Sequence, residues 1–70
     1  MGAIYQNLRK TRTIHVEKRH GKYVIVESDI WENSVGKIGS YDTQEMAEKE
    51  LKEYAEDVGF RFIKRVDDDD

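Results

Sequence analysis

Seventy residues, with 12 Lys and Arg against 15 Asp and Glu, 37% hydrophobic and 39% charged, leave room for one small domain. A chain this short buries about 60% of its unfolded surface around one small core, which argues against a second domain and against a deep catalytic cleft. The absence of Cys removes disulfide frameworks and thiolate metal sites. The longest apolar run, residues 23–26, falls far short of the roughly 20 residues that span a bilayer, so a soluble, cytoplasmic protein without a membrane partner is expected.

Residues 1–12 form an N-terminal segment with two readings. Ile4, Tyr5 and Leu8 either make one helical turn that packs on Val24 and Val26, or stay mobile and leave apolar surface exposed. Residues 13–66 read as a single α+β domain. Two strands, over 13–18 and 22–28, are rich in β-branched and aromatic residues and join through His20-Gly21. Either a two- or a four-residue loop places Ile14, Val16, Tyr23 and Ile25 on one side, the expected core face. His15, Glu17, Val24 and Val26 then point to the other side. Trp31 follows where the second strand gives way to a loop, and serves either as a lid on the core or as an exposed anchor. A third extended segment runs over 36–41, anchored by Ile38 and Tyr41.

The helix is the clearest element. Met46, Ala47, Leu51, Tyr54, Ala55 and Val58 form an apolar stripe over residues 43–58. Asp42 or Thr43 can cap its start, Asp42 with Glu45 has capping-box spacing, and Gly59 marks its end. Residues 60–66 read as a last strand; with Phe60 and Phe62 in the core, Arg61, Ile63 and Arg65 face the opposite side. The resulting order is β-β-β-α-β, a small antiparallel sheet of three to four strands with one helix packed on one face. Residues 67–70, all Asp, read as a disordered acidic tail.

The net charge of −3 is unevenly distributed. Up to Val26, six basic residues stand against Glu17 alone. Between Glu27 and Val66 ten acidic residues face six basic ones, and the four terminal Asp follow. A basic hairpin and an acidic helix are therefore expected on different sides of the domain.

The chemistry of catalysis is missing. His15 and His20 have no Gly-x-Ser-x-Gly elbow to act on, the residues 34–40 lack the spacing of a phosphate-binding loop, and the Asp tail lacks the turn glycine of a calcium loop. No catalytic, cofactor-binding or metal-ligating residues are assigned, and no enzymatic activity is expected.

Gly21-Lys22-Tyr23-Val24, and Gly39-Ser40-Tyr41-Asp42-Thr43 followed by Glu45 and Ala47, resemble the AP2-type DNA-binding domain and the arm-binding domain of tyrosine integrases. The resemblance implies a three-stranded sheet over one helix, with nucleic acid read from the sheet. Ile14-His15-Val16, Asp42-Thr43-Gln44-Glu45 and the closing strand are at least as similar to short bacterial and phage proteins of unknown function. The helix half also resembles half of a peptidoglycan-binding SPOR domain. Where AP2-like domains project Arg and Trp, this chain has His15, Glu17, Val24, Val26 and Ser28.

The expected function is a non-enzymatic protein-interaction module, of the kind a phage or mobile element uses to occupy a partner's surface. Its expected contact residues are Val24, Val26, Arg61 and Ile63, with Trp31 at the edge. An uncovered Val24/Val26 face would favour a homodimer. A variant of this reading uses Glu48, Glu53, Glu56 and the Asp tail as a nucleic-acid decoy. The rival class is a nucleic-acid-binding domain that uses Arg12, Arg19 and Lys22 of the basic hairpin.

Overall fold

The computed structural model describes residues 2–66, so the expectation for the four terminal Asp lies outside the described residues. Its elements are β1 (Gly2–Gln6), β2 (Arg12–Arg19), β3 (Lys22–Asp29), β4 (Ser34–Tyr41), α1 (Gln44–Val58) and β5 (Arg61–Val66). The five strands make one antiparallel sheet in the order β4-β3-β2-β1-β5, and α1 packs on one of its faces. The α+β class and the single covering helix agree with the sequence reading; the sheet has one strand more than expected.

That additional strand is β1. Gly2–Gln6 is neither a helical turn nor loose but lies between β2 and β5, pairing Tyr5 with Ile14 and Phe62. Alternation along β1 sends Ala3 and Tyr5 to the helix side and Ile4 and Gln6 to the opposite side. Leu8 does not pack on Val24 and Val26; it sits exposed in the β1–β2 turn.

The β2–β3 hairpin closes through the two residues His20 and Gly21, both with positive φ (52° and 79°). This is the conformation whose twist suits antiparallel strands. Its register pairs Val16 with Ile25 and His15 with Val26, as the alternation requires. At the far side of β3, Gly39 is an extra residue of β4 with φ 74°. The Tyr41 ring lies over it so closely that a Cβ there would collide with the hydroxyl, so glycine serves both backbone and packing.

Helix α1 begins after Thr43, whose hydroxyl accepts the Met46 N–H at 3.2 Å, and ends where Gly59 donates to the Ala55 carbonyl at 2.9 Å. Asp42 is not the cap; its carboxylate is taken by Lys22. Ala47, Leu51 and Ala55 are wholly buried against Ala3, Ile14 and Ile25, with Tyr5, Val16, Ile38, Tyr41, Tyr54 and Phe60 closing round them. The small residues on either side of Leu51 let the helix lie close to the sheet. Met46, about 100° round the helix from Ala47, and Val58, at its end, are exposed rather than core. Glu48 is turned inward, its carboxylate accepting the Ala3 N–H at 3.3 Å and so tying α1 to the start of β1.

The face without a helix corrects one expectation. Val24 and Val26 point away from α1, yet they are only 9% and 1% exposed. Val24 lies between Glu17 and Ser40, and Val26 between His15 and Lys37, at directly opposed positions on β2 and β4. Side chains so opposed stand about 5 Å apart, and bulges in the outer strands add to the curl of the sheet. Of these neighbours, Glu17, His15 and Lys37 are long enough to shield the two valines from solvent.

β5 supplies a further correction. Ile4 pairs with Lys64 but Tyr5 with Phe62, leaving Ile63 as an extra residue in β5. The bulge resets the alternation. Arg61 and Lys64 lie opposite Gln6 and Ile4 on the helix-free side, whereas Arg65 lies opposite Ala3 on the helix side. Phe62 is mostly exposed but meets the Tyr5 ring edge-on at 5.8 Å.

Candidate interaction face

Two turns stand side by side at one end of the sheet, because β2 joins one of them at Arg12 and pairs there with Asp29, which opens the other. Each is organised by a side-chain oxygen at its first residue. Asn7 Oδ1 accepts the N–H of Thr11 (2.8 Å) and Arg12 (3.0 Å). Asp29 Oδ1 accepts the N–H of Trp31 (2.9 Å) and Asn33 (2.9 Å). A further main-chain bond closes each turn, Lys10 N–H to Asn7 and Glu32 N–H to Asp29, both at 3.0 Å. Lys10 and Glu32 both have positive φ, at 60° and 65°. Asn and Asp favour such turns because the short polar side chain mimics a backbone acceptor. The N–H groups of Asn33, and after it Trp31, hold the Asp29 carboxyl below the usual carboxylate range.

These two turns present Trp31 at 73% and Leu8 at 66%, the two most exposed large apolar side chains of the described residues, together with Ile30 at 56%. Of the two readings of Trp31, the lid on the core is thus set aside. A groove of ≈ 490 Å³ leads from this end across the helix-free face. Ile4 and Gln6 of β1, Thr13, His15 and Glu17 of β2, Ile63 of β5, and Ile30 and Glu32 of the turn line it.

His15 and Glu17 of the groove belong to a polar ladder along β2 that Arg19 continues. Glu17 Oε2 meets His15 Nε2 at 2.9 Å, and Glu17 Oε1 accepts from Arg19 Nε at 2.9 Å and Nη2 at 2.7 Å. The His15 hydrogen bond, and next to it the Arg19 guanidinium, pull the Glu17 carboxyl below its ordinary range.

The residues expected at a contact surface are therefore divided. Trp31 at the turn end, Ile63 on the groove wall and Arg61 opposite Gln6 are accessible; Val24 and Val26 lie beneath the surface. The cations named for nucleic acid are each engaged by a carboxylate. Arg12 Nε lies 3.7 Å from Glu27, Arg19 grips Glu17 with two nitrogens, and Lys22 pairs with Asp42, whose carboxyl the ammonium pulls down. The sequence reading named Ile4 and Leu8 only as a cover for Val24 and Val26 or as mobile, and did not place them or Ile30 at a contact surface. Asn7 and Asp29, each opening a polar break between two strands, are the signal that could have found the turns, but nothing local says they lie side by side.

Two further concavities flank the sheet. One, of ≈ 550 Å³, opens where β1 parts from β2, bordered by Gly2, Ile4, Val16, Lys18 and Gln44. The other, of ≈ 570 Å³, runs between α1 and β4, with Tyr41 and Tyr54 on its floor and Glu50, Glu53, Glu56 and Asp57 on its rim. Among the described residues, no group of three His, Cys, Asp or Glu side chains is placed to hold a metal ion, and no helix is long and apolar enough to cross a membrane.

Fold and site together define a small α+β domain with a one-helix, five-strand layout, which exposes Trp31, Leu8 and Ile30 at one end of the sheet and Phe62, Ile63 and Val66 along β5. Comparison with protein-family models, with curated proteins and with solved structures returns no significant match.

Proposed function

We propose that this domain is a non-enzymatic protein-interaction module that occupies a partner's surface with its turn end, with Trp31, Ile30 and Leu8 as anchors and the groove past Ile63 receiving a partner side chain. The observation that carries this reading is the presentation of three exposed large apolar residues on two adjoining turns, each held by an Asx side chain. Exposed apolar clusters of this kind are unusual unless they contact something. Anchors fixed before contact lose little entropy on binding, and Trp is the residue type most enriched among binding hot spots. Arg61 and Lys64, on the same side of the sheet, supply a polar rim.

The nucleic-acid reading receives less support, because Arg12, Arg19 and Lys22 would have to leave Glu27, Glu17 and Asp42 to meet phosphate. The decoy reading loses Glu48, which is turned toward Ala3, while Glu53 and Glu56 stay exposed on the helix.

Affinity capture from a bacterial lysate tests the proposal when the wild type is run beside a Trp31→Ala/Ile30→Ser variant. A protein retained by the wild type and lost with the variant is the expected result. Identical protein profiles for the two would reject the turn end as the contact surface.

A further inference from the structure

The two turns at the anchor-bearing end are built on one pattern. Asn7-Leu8-Arg9-Lys10 and Asp29-Ile30-Trp31-Glu32 each run Asx, aliphatic residue, tip residue, charged residue. In each, the N–H of the fourth residue donates to the carbonyl of the first at 3.0 Å. Such a turn favours Asn or Asp at its first position and glycine at its fourth. The first preference is kept in both turns and the second is broken in both. Lys10 and Glu32 hold positive φ, at 60° and 65°, where a side chain crowds its own backbone and glycine does not. Elsewhere positive φ falls to Gly21, Gly39 and Gly59, with His20 beside Gly21 in the tight hairpin turn. A local rule broken twice at one exposed end points to a use for the side chains themselves.

Neither charge is used inside the domain. Lys10 and Glu32 are exposed, and among the described residues neither stands in an ion pair, although their turns adjoin through Arg12 and Asp29. Arg12, Arg19 and Lys22, by contrast, are each engaged by a carboxylate. Arg9, exposed beside Lys10, adds to the positive charge of the first turn, while the Asp29 carboxylate of the second is taken up by the Trp31 and Asn33 amides. This end of the sheet is thus apolar at Leu8, Ile30 and Trp31, positive at the β1–β2 turn and negative at the β3–β4 turn.

We propose that Lys10 and Glu32 are the orienting charges of this end, and that its partner is a protein surface whose apolar contact is flanked by a carboxylate, opposite Lys10, and by a Lys or Arg, opposite Glu32. Their role rests on the reading of the turn end as the contact surface. Opposite charges on the two flanks admit the partner in one orientation and repel it in the reverse one, which is how charge at a rim serves specificity. The same two side chains weaken the turns they stand on, so specificity and stability are opposed at both positions.

Two measurements on the full chain test this, with circular dichroism confirming that each variant is folded. In urea, Lys10→Gly and Glu32→Gly should each unfold at a midpoint no lower than the wild type, although glycine in an ordered turn without positive φ lowers it. A lower midpoint for both would show that the side chains serve the turns, and would overturn the proposal. For binding, the probe is a displayed library of random peptides, selected on the wild type and kept only where Trp31→Ala abolishes binding. The selected peptides should carry Asp or Glu on one flank of their apolar residues and Lys or Arg on the other. Lys10→Glu should weaken such a peptide at least about tenfold at about 0.05 M NaCl, and replacing the peptide's carboxylate by Lys should restore it. Glu32→Lys should act in the same way on the peptide's cation. Trp31-dependent peptides indifferent to both charge reversals would overturn the orienting role and leave the turn end as the contact surface. The absence of any Trp31-dependent peptide would overturn both.

Discussion

Glu17 shows how single side chains settle the character of the helix-free face. It stands at the centre of three residues spaced by two along β2, so His15, Glu17 and Arg19 share one side of the strand and can bond in sequence. Its carboxyl ionises more readily in the folded chain than its ordinary value of 4.5, chiefly through the His15 hydrogen bond and then through Arg19. A carboxylate lowered in this way contributes stability above the unfolded value, and the contribution is lost as pH falls through the folded one. Glu17→Gln should therefore destabilise the domain near neutral pH and make no difference in acid. Solvent reaches this pair, which screens the interaction and holds the cost to about 0.5–1 kcal/mol. Urea unfolding of the two proteins at both pH values checks this; an equal gap at the two would contradict it. Lys22 lowers Asp42 and the turn amides lower Asp29 in the same sense, so the whole domain should lose stability on acidification.

Among the elements, the β3–β4 turn is the one whose local chemistry bears most directly on function. Asp29 binds both Trp31 and Asn33 amides, so the indole is held at a fixed place despite standing in solvent. Asp29→Ala should free the turn while leaving the sheet intact. The expected outcome is a lower fluorescence anisotropy of Trp31, the single tryptophan, with an unchanged far-ultraviolet circular dichroism spectrum. Unchanged anisotropy would show that the turn is held by something else. The elements also differ in how far they could be read in advance. α1 announces itself through Thr43, the Ala47, Leu51 and Ala55 spacing, and Gly59, all within one short stretch. The β2–β3 hairpin does so through alternation and His20-Gly21. β1 does not, because Gly2 and Ala3 have little strand propensity and its place is set by β5, which lies at the other end of the chain. The Ile63 bulge is equally silent, and it moves Arg65 to the side opposite the one alternation assigns.

At the scale of the whole molecule, the division into a basic hairpin and an acidic helix is softened by folding. Arg12, Arg19 and Lys22 find Glu27, Glu17 and Asp42, two of them within the hairpin and one just before the helix. Charge counts by segment report composition, while the field at the surface depends on which charges the fold brings together. The apolar pattern behaves in the same way. Alternation gave the correct side for Val24 and Val26, but whether a residue on that side reaches solvent depends on sheet curvature and on the length of its cross-strand neighbours. With these valines buried, the turn end keeps Trp31, Leu8 and Ile30 accessible, and the groove runs from Ile30 to Ile63. The most direct test is the affinity of a captured partner, measured by titration calorimetry, for the wild type and for Trp31→Ala. Loss of an anchor of this kind costs at least about 2 kcal/mol, or roughly thirtyfold in Kd, and that loss is the predicted result. A Kd unchanged by Trp31→Ala in a folded variant would contradict the assignment of the turn end as the partner-binding surface.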